Sequence, residues 1–188
     1  MAYGCSAHIL NLLAKDLVKT DITKHVTNIL TYFRNHHHPK AWYHVEGGSA
    51  LILPLEVRYN TYCDSLESYI KNWSILTKVC EDHRYEIDRD IANKILNIGL
   101  KRNVEDMIGN LKTVAEAIDI IVRKSNCSLA ECVFAWKKLE LKLNEASNNK
   151  NILPLYKARY EQVITDEHYA AFILIFINSI SNFINISF

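Results

Sequence analysis

Cys5 and His8 stand three residues apart, a spacing that can turn a thiolate and an imidazole toward one metal ion. A zinc site needs two further ligands, and the chain offers no second Cys-x-x-Cys or His-x-x-x-His pair. The bland reading, two residues at the start of a helix, is preferred. His36, His37 and His38 are consecutive, so a regular element cannot aim all three at one ion, and a solvated loop is expected. Glu81, Asp82, Glu86, Asp88 and Asp90 are interleaved with Arg84 and Arg89, the pattern of a solvated helix connection rather than a metal cluster. A Cys–His nucleophile built on Cys5 and His8 would lack an orienting third residue and an oxyanion element. That leaves Arg58 and Tyr59, side by side where an extended Leu53-Pro54 segment turns toward a helix. The simplest role for the pair is to fix that corner, with Arg58 meeting Glu56 or Asp64.

The elements that would hold these residues are helices. Ile9, Leu10, Leu12, Leu13 and Leu17 form an apolar stripe between Ser6 and Lys19. Asp21 is expected to cap a second helix through Ile22, Val26, Ile29, Leu30 and Phe33, ending near Asn35 because Pro39 follows. Residues 39–48 read as a short turn holding Trp42 and Tyr43. Ala50 to Leu53 is a small strand or extended chain. Asn60 or Thr61 should cap a helix carrying Leu66, Tyr69, Ile70, Trp73, Leu76, Val79 and Cys80 on one face. Asp88 should cap a short helix through Ile91, Ile95 and Ile98 that closes near Gly99. From Asn103 a continuous stripe runs through Val104, Met107, Ile108, Leu111, Val114, Ile118 and Val122. Ser128-Leu129-Ala130-Glu131 has the spacing of a capping box for a helix through Trp136. Trp73 and Trp136 lie on apolar stripes and are expected in the core. A polar loop at 147–151 precedes a helix from Ile152 to Val163.

Composition agrees with helices. The chain has 188 residues, 49% of them hydrophobic, with only five Gly and three Pro, too few for the turns of a β-sandwich. With 22 Lys and Arg against 21 Asp and Glu, overall charge forces neither a nucleic-acid nor an acidic-membrane partner. Five cysteines, an odd number without a secretory leader, read as reduced thiols in a cytosolic or nuclear protein. From Ala170 the composition shifts to Ile, Phe, Asn and Ser, with no charged residue. Residues 170–188 are long enough to span a bilayer, but Asn and Ser interrupt them, so a membrane anchor is not expected.

Several segments in order resemble hAT-superfamily transposases, the hobo and Activator type. Cys5-Ser6-Ala7-His8-Ile9-Leu10-Asn11-Leu12 is similar to that family's C-x-x-H-x-L-N-L segment. Leu53-Pro54, then Val57-Arg58-Tyr59-Asn60-Thr61, then Leu66, Tyr69 and Asn72 resemble its Leu-Pro, its Thr-Arg-Trp-Asn-Ser and the helix that follows. Asn110 to Ile118 and Cys127 to Leu139 resemble two later helices of the family.

The resemblance implies an RNase H-like catalytic domain interrupted by a helical insertion, with two Asp and one Glu holding divalent metals for phosphodiester attack. The two Asp belong upstream of Cys5 and the Glu beyond the Ile/Phe/Asn-rich tail, so no catalytic residue can be assigned here. The expectation is a mostly α, catalytically inactive, truncated transposase-derived chain that is not an enzyme and binds no metal cofactor. Its expected parts are 1–58, a remnant of the RNase H-like core; 59–169, the helical insertion; and 170–188, an aberrant tail. By resemblance, Arg58 and Tyr59 would lie near a transposon end, Arg meeting phosphate and Tyr stacking on an unpaired base, worth about 1–3 kcal/mol per base. Expected partners are DNA, or the protein itself or a related transposase through an exposed apolar face, in the nucleus or cytoplasm. The alternatives are a helical interaction or dimerisation module and a non-functional gene product.

Overall fold

The structure, a computed structural model, describes residues 5–54, 59–122, 127–145 and 152–185, apart from the side chains of 59–61, 176 and 178–185. Among them are nine helices and no strand: α1 (Ser6–Leu17), α2 (Thr20–Asn35), α3 (His37–Val45), α4 (Tyr59–Asp82), α5 (Arg89–Ile95), α6 (Ile98–Val122), α7 (Leu129–Glu145), α8 (Ile152–Glu161) and α9 (Asp166–Asn185). The mostly α class expected from composition is therefore observed. The chain divides into two compact units, Val18–Leu111 and Met1–Leu17 with Lys112–Phe188.

In the unit 18–111, α2 packs against α3, α4 and α5, and α4 against α3 and α5. The apolar stripes meet as expected: Val26, Ile29, Leu30 and Phe33 of α2 are buried with Leu66, Tyr69, Leu76 and Val79 of α4 and Ile95 of α5. Each buried Leu or Ile contributes roughly 1.5–3 kcal/mol. Several boundaries differ from the sequence reading. The N-cap of α2 is Lys19, which makes no side-chain cap, and Asp21 lies in the first turn, where its charge still suits the helix dipole. Residues 39–48 are not a short turn: α3 occupies His37–Val45. Pro39 sits within its first turn, where a missing N–H costs nothing because no intrahelical partner exists for it. His37 and His38 are thus the exposed first turn of a helix rather than a loop.

Asp88 does cap α5, its Oδ1 accepting from the Asp90 and Ile91 N–H groups at 2.9 and 3.1 Å. That helix stops at Ile95. Asn97 then accepts the Leu100 N–H at 3.0 Å, so Ile98 and Gly99 open α6 instead of closing α5. The segment 49–54 has no regular secondary structure and forms no strand. Two glycines shape its start. Gly47 has φ 78°, a left-handed conformation that closes α3. A Cβ on Gly48 would fall 2.2 Å from the Tyr43 ring.

In the other unit, α7 packs on α9 and α8, and α8 on α1. Trp136 is fully buried, donating its indole N–H to the Ser6 hydroxyl at 2.7 Å. Tyr156, also buried, donates to the Trp136 carbonyl at 2.9 Å. Asp16 of α1 accepts from Arg159 of α8 at 2.8 Å. The capping box forms as its spacing dictates: the Ser128 N–H reaches Glu131 Oε2 at 2.9 Å and the Glu131 N–H reaches Ser128 Oγ at 3.3 Å. The compositional break at Ala170 leaves no mark on the backbone, because α9 runs through it.

Candidate functional site

Residues 49–52, ahead of the expected Arg58–Tyr59 corner, are held from the α4 side. Leu66, Tyr69, Ser65, Ser68 and Asn72 lie on the buried face of α4. Asn72 Oδ1 accepts from both the Ser49 N–H at 2.9 Å and the Ser49 hydroxyl at 3.0 Å, while Nδ2 donates to the Ser68 carbonyl at 2.8 Å. Ser68 Oγ accepts the Ile52 N–H at 3.1 Å and donates to the Ser65 carbonyl at 2.8 Å. Tyr43 adds a hydroxyl bond to the Ser49 carbonyl. Side chains thus satisfy backbone groups of an irregular segment that no strand partners. This clamp was legible only as the polar residues Ser65, Ser68 and Asn72 on an otherwise apolar stripe.

Tyr59 is the first residue of α4, so it stands at the start of a helix, where Asn60 or Thr61 had been expected as caps. Arg58 lies outside the described residues, and so does its expected partner Glu56. Cys5 immediately precedes α1, its carbonyl accepting the Ile9 N–H at 3.0 Å, and His8 lies in the first turn; both are exposed. Among the described residues, no three His, Cys, Asp or Glu side chains come together as a metal ion would require. Glu81 to Asp90 form the expected connection, with His83 Nδ1 3.2 Å from Glu86. His83 also stacks face to face on Trp42, ring centres 3.8 Å apart. Trp73 departs from the core expectation. It is only partly buried, donating to the Ile95 carbonyl at 3.0 Å while Lys101 lies 4.6 Å over its ring.

An open cleft of ≈ 500 Å³ lies in the unit 18–111, lined by Asp21, His25, Asp90, Lys94, Asn97 and Asn103 among others. Most of its charge is already engaged: Lys94 pairs with Asp90, and Asn97 caps α6. The other unit carries the most extensive apolar exposure. On α9, Ile173, Leu174, Ile175 and Ile177 are each more than half exposed, and Phe134 and Leu141 of α7 likewise. Ile173, Leu174 and Ile177 fall on one face by helical spacing. His168, on the opposite side of α9, is buried, its Nδ1 2.9 Å from the Thr165 hydroxyl. Sequence reasoning had expected an exposed apolar face without assigning it to particular residues.

Beneath α9 lies an aromatic cluster: Trp136 has the Tyr156 ring 5.6 Å and the Tyr160 ring 5.8 Å away, and Tyr169 lies 6.5 Å from Tyr160. Burial pushes the Tyr156 and Tyr160 hydroxyls well above the ordinary tyrosine range, so both are donors at neutral pH. Comparison with family models, curated proteins and solved structures found no match.

Proposed function

We propose that this chain is a non-catalytic helical module of hAT-transposase type, the insertion with a short remnant of an RNase H-like core, and that it associates with a second copy of itself through α9. The observation that carries the association is the row Ile173, Leu174 and Ile177, each more than half exposed on one helix face. No Asp, Glu, Lys or Arg follows Glu167, so the face offers nothing to a charged partner and needs only its own kind. Among the described residues, no helix is long and apolar enough to cross a membrane.

Sedimentation velocity over a concentration series tests the association. A reversible dimer is expected, and Leu174→Lys with Ile177→Lys should shift it to monomer with unchanged helical circular dichroism. A monodisperse wild-type monomer that binds no apolar dye would overturn it.

The transposase reading rests on the ordered motifs and keeps DNA contact as its second outcome, through Arg58 and Tyr59. It predicts affinity for DNA ends that falls steeply with salt, about 0.9 log units per log unit of salt for each phosphate contacted, and that weakens in Arg58→Ala. Equal and negligible binding by wild type and variant would remove DNA from the reading. No cleavage or strand transfer is expected from either protein with divalent metal added, because the segments that carry the resemblance offer no counterpart of the residues that would hold the metals.

A further inference from the structure

The start of α7 holds two thiols in contact. Cys127 Sγ and Cys132 Sγ are 3.7 Å apart. The contact follows from the cap. Ser128 is the N-cap, so Cys127 occupies the position before it and Cys132 the fourth helical position. Side chains at those two places meet across a helix start, ordinarily as an apolar pair that fixes how the chain enters the helix. Here both members are cysteines. A disulfide needs the sulfurs at about 2.05 Å. Cys127 lies outside the helix, so rotation of its side chain can close most of the gap without unwinding a turn.

We propose that Cys127 and Cys132 form a reversible disulfide that covalently staples the start of α7, made by exchange with a small-molecule disulfide such as glutathione disulfide. The two cysteines have different parts. Cys127 is partly exposed and is the sulfur an incoming disulfide reaches. Its thiolate attacks one glutathione sulfur, forming a mixed disulfide and releasing one glutathione thiolate. Cys132 is buried against the Ser6–Trp136 contact, and burial pushes its thiol up to about 11, so it stays protonated and shielded until its neighbour is modified. It then loses its proton to solvent, attacks the Cys127 sulfur and expels the second glutathione. Two thiols are oxidised and one glutathione disulfide is reduced, a balanced two-electron exchange. Of the other cysteines, Cys80 is buried, Cys5 stands exposed just before α1, and Cys63 has its sulfur 3.8 Å from Glu67 Oε1.

The test uses the full chain in glutathione redox buffers, with acid quenching and alkylation of free thiols. Cleavage after Lys124 and Lys137 leaves both cysteines on one peptide, and a further cut after Glu131 separates them. The expected result is a peptide about 2 Da lighter than its reduced form, unalkylated, whose halves stay joined after the Glu131 cut until reductant is added. Cys132→Ser should instead retain glutathione on Cys127, and Cys127→Ser should leave Cys132 unmodified. In concentrated urea the pair should lose its advantage, needing at least tenfold more oxidised glutathione for half-conversion. A stable glutathione adduct on Cys127 in the wild-type chain, no reaction at either cysteine, or the same half-point folded and unfolded would each overturn the proposal.

Discussion

Asn72 concentrates more structural responsibility than any residue singled out for chemistry. Its carboxamide satisfies two donors of Ser49 and one carbonyl of α4 while almost wholly buried. Replacing it with Ala leaves the part-buried Ser49 N–H and hydroxyl without their acceptor, so Asn72→Ala should cost about 1–3 kcal/mol in urea unfolding. The corner at 49–54 should also exchange its amide hydrogens faster. Tyrosines supply a second prediction at this scale. Burial pushes the Tyr43 and Tyr69 hydroxyls up to about 12. The ordinary value, about 10, applies once the chain unfolds. Both groups therefore hold their protons more tightly when folded, so the stability they contribute is full below pH 10 and is lost as pH rises toward 12. Phenolate absorbance from this buried pair should rise together with loss of helix.

At the scale of elements, caps decide where helices begin. The reciprocal bonds between Ser128 and Glu131 satisfy two amides at the start of α7. Ser128→Ala should lower stability by about 1 kcal/mol, read from the denaturation midpoint at unchanged m-value. The end of α3 depends on space as well as on the left-handed Gly47 that closes it. Because a Cβ at Gly48 would meet the Tyr43 ring at 2.2 Å, Gly48→Ala must displace a buried aromatic. It should cost about 1–3 kcal/mol, the range for overpacking. Helix α9 has no internal reason to be so apolar on its outer face. In water, a surface helix normally turns a polar face to solvent.

For the whole molecule, the two units share the long helix α6 but divide the properties between them. The unit 18–111 ties residues 49–52 to α4 through the Asn72 clamp and caps α5 with Asp88, yet among its described residues His25 Nδ1, Tyr69 Oη and Thr77 Oγ1 are buried without a hydrogen-bond partner. The unit that holds α7, α8 and α9 buries Trp136 fully and yet leaves apolar side chains of α7 and α9 outward. Trp136→Ala should cost about 3–5 kcal/mol, and the thermal transition should fall accordingly. If self-association through α9 stabilises the fold, the wild-type melting temperature should rise with protein concentration while that of the Leu174→Lys, Ile177→Lys variant should not.

Local chemistry in the sequence was enough for the helical class, the stripes of α2, α4 and α6, the Asp88 cap and the Ser128 capping box, because each depends on residues within one or two turns of each other. It misplaced α3, reading Pro39 as a stop, because a first-turn proline and a turn proline look alike until packing against α2 and α4 favours the helix. It divided the helices wrongly at Ile98 and Gly99, where the choice lay with the Asn97 side chain. Only the tertiary structure brought Ser49 to Asn72, Ser6 to Trp136 and Trp42 to His83, contacts between residues 23 to 130 positions apart. Tertiary packing also decided which face of α9 remains uncovered. A hydrophobic pattern says that a side chain favours burial; it does not say whether the chain has enough partners to bury it.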